Sequence, residues 1–208
     1  RAFPYMEAAA VPGVAIPLLQ DDCIDTTVDL DWIWDYIHLT SEDKSLRLDL
    51  GALREEVDFC FTPASLALIM GEAQGQTEEL AREWLMRAGK RWRPFLTASV
   101  VQSLVETSQD GWTEDLKRIC VAVECFHKAS LIHDDIEDED DKRYGEQTLH
   151  ASHGVAVALN VGDLLVGEGY RLIAATGLSP EQKAAMLQVA AEVHRQLCRV
   201  QGAELCWM

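Results

Sequence analysis

Apolar and polar positions divide this chain into an irregular start and a long helical remainder. Residues 1–30 mix Pro, Gly and acids with short apolar runs such as VPGVAIPLL, hold no sustained period, and read as an extended arm. From DLDWIWDYIHL onward the spacing turns helical, with Trp32, Trp34 and Ile37 as packing residues. SEDKSLRLDLGALREEVDFCF predicts a second, weaker helix interrupted by Gly51. TPASLALIM offers Thr62 as a cap with Pro63 at the first helical position, and TEELAREWLMRAG predicts a helix from Thr77 that Gly89 ends. Another restarts at Pro94, and a long one runs through GWTEDLKRICVAVECFHKASLIHDD into an acidic end. In GVAVALNVGDLLVGEGYRLIAATG, Gly162, Gly167 and Gly169 suggest close helix contact; the last helix opens with Ser179-Pro180-Glu181-Gln182, a capping box. No segment has strand period, so the expectation is an all-α chain: residues 1–60 of unassigned role and a helical domain over 61–208.

Composition narrows the classes of function. At 208 residues, nearly half of them hydrophobic, the chain can close a sizeable core. The net charge of −17 argues against a nucleic-acid or anionic-membrane surface, which would need clustered Lys and Arg. An anionic substrate then needs local cations or metal. No run approaches the length of a membrane span. Six cysteines without a C-x-x-C pair, most inside apolar helical patterns, read as reduced core thiols of a cytosolic protein.

One charge run departs from the usual solvated surface. HDDIEDEDDKRYG, residues 133–145, extends an apolar helix, so Asp134, Asp135 and Asp138 are brought close by its turn spacing. Such carboxylates repel unless they stay in bulk water, take up protons or share a divalent cation. Hard oxygen ligands suit magnesium or calcium; Ile136 and Lys142 do not fit a calcium-binding EF-hand loop, whereas magnesium takes one or two carboxylates with substrate phosphates. From these residues alone, a metal site and a solvated acidic face both stand. GKRWRP at 89–94 is the second informative run. Lys90 and Arg93 suit a diphosphate, while a basic helix terminus complementing the macrodipole explains the same charges. Together the two runs describe a site for two diphosphates, one held by cations and one through metal.

GKRWRP, HKASLIHDDIEDEDDKRYG, HASHGVAVALNVGD and RVQGAELCW, in that order and spacing from about residue 76, resemble the trans-isoprenyl diphosphate synthases, or polyprenyl synthetases. The resemblance, which covers the N-terminal two-thirds of the family pattern, implies an all-α isoprenoid-synthase bundle with a central cavity, incomplete at its C-terminus in this sequence, acting as a cytoplasmic homodimer on isopentenyl diphosphate and an allylic diphosphate with Mg2+. It implies that Lys90, Arg93 and His127 clamp isopentenyl diphosphate. It further implies that Asp134 and Asp138, with Asp135 beside them, ligate magnesium, that Arg143 meets the allylic diphosphate, and that Gln201 and Glu204 lie near the metals. Residues 127, 131, 134 and 138 fall on one helical stripe, in keeping with this division. The same resemblance, in which bulky aromatics one turn before the acidic motif go with shorter products, implies from the small Ala129 and Ser130 a floor open to a product of geranylgeranyl length or longer, with Phe126 as the deeper stop.

Three departures mark this chain. Tyr144 stands where the family shows a second arginine, and Val200 stands where Gly is usual. The family's second aspartate-rich motif and the lysine before it are not found before Met208. A class I terpene cyclase, disfavoured by GKRWRP, and a non-catalytic binding or regulatory subunit of the same fold are the rival readings.

Overall fold

A computed structural model of the protein describes residues 49–87, 89–104 and 112–207. The expected arm and the helix bearing Trp32, Trp34 and Ile37 lie outside them. Eight helices follow in order among the described residues: α1 Leu50–Phe59, α2 Pro63–Met70, α3 Gln76–Met86, α4 Trp92–Leu104, α5 Glu114–Glu137, α6 Leu149–His153, α7 Val155–Ala174 and α8 Pro180–Leu205. The all-α expectation holds, with one small exception. Two-residue strands β1 (Lys142–Arg143) and β2 (Glu146–Gln147) pair antiparallel between α5 and α6. Tyr144 and Gly145, at φ 54° and 83°, make the two-residue turn. Both central residues of such a hairpin need positive φ, for which Asn-Gly is the usual signal; Tyr-Gly hides it.

Helix boundaries follow local chemistry. Thr62 accepts from the Ser65 amide with Pro63 at the first position, and Ser179 and Gln182 complete the reciprocal capping box. Asp49 caps α1 by accepting from the Ala52 amide, so the helix tolerates Gly51. Helix α3 differs from expectation at both ends: it starts at Gln76 with Gly75 as its cap and stops at Met86 rather than at Gly89. Helix α4 begins at Trp92, which puts Pro94 inside its first turn.

The most extensive contact joins α5 to α7. Two glycines make it close. The Phe126 ring lies where a side chain at Gly169 would begin, 2.6 Å away, and the His133 ring lies closer still to the corresponding point at Gly162. Each pair is seven residues apart on its helix and the order is reversed, so the two helices run antiparallel with a repeating contact. Gly167, expected to share this role, has open space above it. Val121, Cys125, Ala129 and Ile132 of α5 and Val161, Leu165 and Leu172 of α7 are buried.

Helix α8 is different, since none of its 26 residues is buried. Val189, Val193, Leu197 and Val200 form an exposed apolar stripe along it. The cysteine expectation divides accordingly. Cys60, Cys120 and Cys125 are buried thiols, but Cys198 and Cys206, on and just after α8, are exposed. Among the described residues no helix is long and apolar enough to cross a membrane.

Candidate functional site

Helix α5 delivers the acidic run. Thr113 caps its start, Glu114 and Asp115 occupy the positive end of its dipole, and Asp138 caps its finish. Glu139 then turns the chain at φ 56°. Asp134, Glu137 and Asp138 remain at least partly open to solvent. Asp135, about 100° further round the helix than Asp134, points inward and is 1% exposed. There it accepts a hydrogen bond from Arg143 Nε, and Arg143 Nη2 lies 3.7 Å from Asp134 Oδ2. The hairpin thus turns Arg143 back against α5. Asp135, expected beside the metal ligands, is instead the inner anchor of Arg143.

Gln201 crosses from α8 to this end of α5. Its Nε2 donates to Glu137 Oε2 at 3.0 Å and faces Asp134 Oδ1 at 3.4 Å. Glu137, given no role by the sequence, shares that amide because it lies three residues from Asp134 on the same side. Glu204, one turn beyond Gln201, is exposed. Among the described residues no three His, Cys, Asp or Glu side chains converge into a ready-made cage.

The electrostatics nonetheless suit a shared cation. Burial first, then the neighbouring Asp138, holds the Asp134 carboxyl above the usual range against the pull of Arg143. Burial raises Asp135 likewise, opposed by its hydrogen bond to Arg143, and its Oδ2 is buried with no hydrogen-bond partner among the described residues. A hard divalent ion held by one or two of these oxygens and by phosphate fits this donor set.

The basic run lies against the same helix. Arg93 Nη1 is 3.2 Å from His127 Nε2, and its guanidinium stacks 4.4 Å from the Trp92 ring. Burial and then Arg93 itself push His127 down to about 4. The ring is therefore neutral near pH 7, and because arginine only donates, Nε2 is the acceptor. Lys90 is exposed, whereas Arg91 turns away toward α1. Behind the run sit two charges that the sequence reading missed. Glu124 and Lys128, one turn apart on α5, are 2% and 4% exposed, and the Lys128 ammonium donates to the Arg87 carbonyl at 3.3 Å. Burial raises Glu124 and lowers Lys128, while each opposes the shift of the other. A charge on the apolar side of an amphipathic helix was the available signal.

The residues expected to set a product floor separate. Ser130 is exposed and partly buried Phe126 lies one turn deeper on its side, edge-on to Tyr170 with ring centres 5.0 Å apart. Ala129 is instead 1% exposed in the core, because its place on α5 faces the packed interior. A cleft of about 380 Å3 lies elsewhere, lined by Met70, Glu78, Arg82, Leu164, Glu168 and Arg171.

A family model described as Polyprenyl synthetase matches residues 74–208. Geranylgeranyl pyrophosphate synthase of Geoglobus acetivorans is 31% identical over 125 residues, which are 60% of this chain and 38% of that protein. Farnesyl diphosphate synthase of Haemophilus influenzae is 36% identical over 111 residues, 52% of this chain and 36% of its own. The crystal structure of geranylgeranyl pyrophosphate synthetase from Pyrococcus horikoshii is similar with a TM-score of 0.61 at 29% identity, covering 74% of this chain and 45% of that one. The chain spans little more than a third of the length of these two curated relatives.

Proposed function

We propose, for a chain that belongs to the polyprenyl synthetase family, that it takes part in condensing isopentenyl diphosphate with an allylic diphosphate to give a longer trans-polyprenyl diphosphate. The observation that carries this reading is the contact of Arg93 with His127. It sets the basic run against α5 seven residues, or about 10 Å, from Asp134. Two diphosphates held at those two places would bring their hydrocarbon ends side by side.

In this reading Lys90 and Arg93 hold isopentenyl diphosphate by charge-assisted bonds, Arg93 as a planar fork. Neutral His127 keeps Arg93 aimed without adding a competing charge. Asp134 and Asp138 would hold magnesium, with Gln201 fixing the Asp134 carboxylate. Magnesium supplies electrostatic stabilisation of a departing diphosphate when bound there. Arg143, anchored by Asp135, presents its outer edge toward the allylic diphosphate. The allylic carbon–oxygen bond breaks, the isopentenyl double bond attacks that carbon, and a proton passes to the released diphosphate. Alignment of the two reacting carbons is the protein's main contribution. Small, exposed Ser130 above Phe126 supports a product of geranylgeranyl length or longer. A cytoplasmic homodimer is the state that the family resemblance implies.

Incubation with radiolabelled isopentenyl diphosphate, geranyl diphosphate and magnesium tests the reading. Label should move into extractable polyprenyl product only when all three are present. Binding of both diphosphates without any product would instead favour a non-catalytic subunit. The commitment of Arg143 Nε to Asp135, which leaves only its outer edge for a substrate, is the observation on that side. No binding of either diphosphate would sink both.

A further inference from the structure

Asp58 lies near the end of α1, before residue 74 where the family match begins. Its Oδ1 accepts from Arg91 Nη1 at 3.3 Å, and its Oδ2 accepts from Arg54 Nε at 3.3 Å. Arg91 is the middle cation of GKRWRP. Its Nη2 donates to the Met86 carbonyl at 3.2 Å and its guanidinium lies 4.6 Å from the Phe61 ring centre. The side chain is 12% exposed. Both terminal nitrogens already donate, and Nε is buried without a partner among the described residues. This cation is spent inside the protein.

Its backbone explains why. Arg91 has φ 43°, a left-handed conformation that non-glycine residues hold only when their surroundings impose it. Its carbonyl accepts from the Phe95 amide at 3.1 Å and so opens α4. The turn at Arg91 therefore decides where its neighbours point, with Lys90 outward before it and Arg93 against His127 after it. A single half-exposed ion pair contributes little by itself. Here the carboxylate is one of three restraints on one planar group, and together they hold an unfavourable turn.

We propose that Asp58 and Arg91 are positioning residues, a clasp from α1 that holds the basic run so that Lys90 and Arg93 reach one diphosphate. The ligand rests on the function proposed above; the clasp does not. The rival is that Arg91 binds the anion directly, and the two ideas predict opposite signs. If Arg91 were a ligand, removing the Asp58 charge would free it and tighten binding. If it is a clasp, the same change loosens the turn and weakens binding.

The experiment compares the full chain with Asp58→Asn and Asp58→Glu. Amide hydrogen exchange is followed without ligand at Phe95, whose amide donates to the Arg91 carbonyl, and titration calorimetry measures isopentenyl diphosphate without metal and geranyl diphosphate with magnesium. Asp58→Asn should speed exchange at the Phe95 amide and weaken isopentenyl diphosphate by about tenfold, a loss equal to one charge-assisted hydrogen bond. Magnesium-dependent geranyl diphosphate binding should stay as in the unaltered chain, and Asp58→Glu should restore both readouts. Unchanged exchange, or tighter isopentenyl diphosphate binding, overturns the clasp. A general loss of stability would weaken both ligands together and overturn it too. If the unaltered chain binds no isopentenyl diphosphate, the proposed function fails, and exchange at the Phe95 amide still decides the clasp.

Discussion

Arg143 holds Asp135 from the hairpin that follows α5, and the carboxylate it holds faces the protein interior rather than the neighbouring Asp134 and Asp138. Two adjacent aspartates of one motif therefore stand in different environments. Asp135→Asn should lower unfolding free energy by about 3 kcal/mol, the low end for breaking a buried pair whose other member is partly exposed. Asp138→Asn, at an exposed position, should change it by less than about 0.5 kcal/mol. Urea denaturation checks both, and equal costs would mean that Asp135 is not the anchor.

Asp134→Ala and Asp138→Ala should abolish magnesium-dependent binding of an allylic diphosphate while leaving metal-free isopentenyl diphosphate binding in place. Burial and like charge already raise Asp134, so replacement relieves repulsion and should not destabilise the fold. Calorimetry with and without magnesium reads the difference. Undiminished metal-dependent binding in both variants would remove the acidic end from the site.

Lys90→Ala and Arg93→Ala should do the reverse, weakening isopentenyl diphosphate by roughly tenfold to a hundredfold, the loss of a charge-assisted bond of about 1.5–3 kcal/mol. The allylic ligand should be affected far less. Equal losses for both ligands would show that the two runs form a single site.

His127 should leave a signature in the pH dependence of stability. Its folded value is about 4 against 6.5 for the free imidazole. Between the two, the unfolded chain binds more protons, so the contribution of this residue is present above about 6.5 and is lost as pH falls toward 4. His127→Gln should flatten the difference between urea midpoints at pH 7 and pH 5 relative to the unaltered chain. An identical slope in both proteins would mean that the ring titrates normally.

Ser130→Phe should shorten the polyprenyl product and Phe126→Ala should lengthen it, read by chromatography after dephosphorylation. Ala129→Phe should not act as a length switch. A ring at that buried position overpacks the core, which costs roughly 1–3 kcal/mol or more, and the variant should be recovered with a lowered midpoint. A stable Ala129→Phe protein making a shorter product would return Ala129 to the floor.

What could be read from the sequence was whatever depends on near neighbours. Thr62-Pro63 and the Ser179–Gln182 box carry their own hydrogen-bond partners within four residues, so their helix starts were legible. The stripe bearing His127 and Asp134 follows from helical geometry alone. Asp135 was not legible, because the side of α5 that is covered is decided by Arg143 returning from the hairpin. Nor could composition separate the cations of GKRWRP. Which one turns inward depends on Asp58 and Phe61, some thirty residues away in the chain. The Tyr-Gly turn lacked the usual residue pair, so its strands went unread.

A helix that buries none of its residues has little to resist its own fluctuation, because local opening is opposed mainly by apolar contact. Helix α8 is about 39 Å long, and polar ties from Tyr170 to His194 and from Gln201 to α5 are among its cross-helix contacts. Amides in its second half should therefore exchange faster than those of α5, whose core face is buried. Since Gln201 reaches the carboxylates from that exposed helix, ligand capture and the ordering of α8 should be one equilibrium: whatever gathers Asp134 and Gln201 around a phosphate should slow exchange along the helix, at positions the ligand never touches.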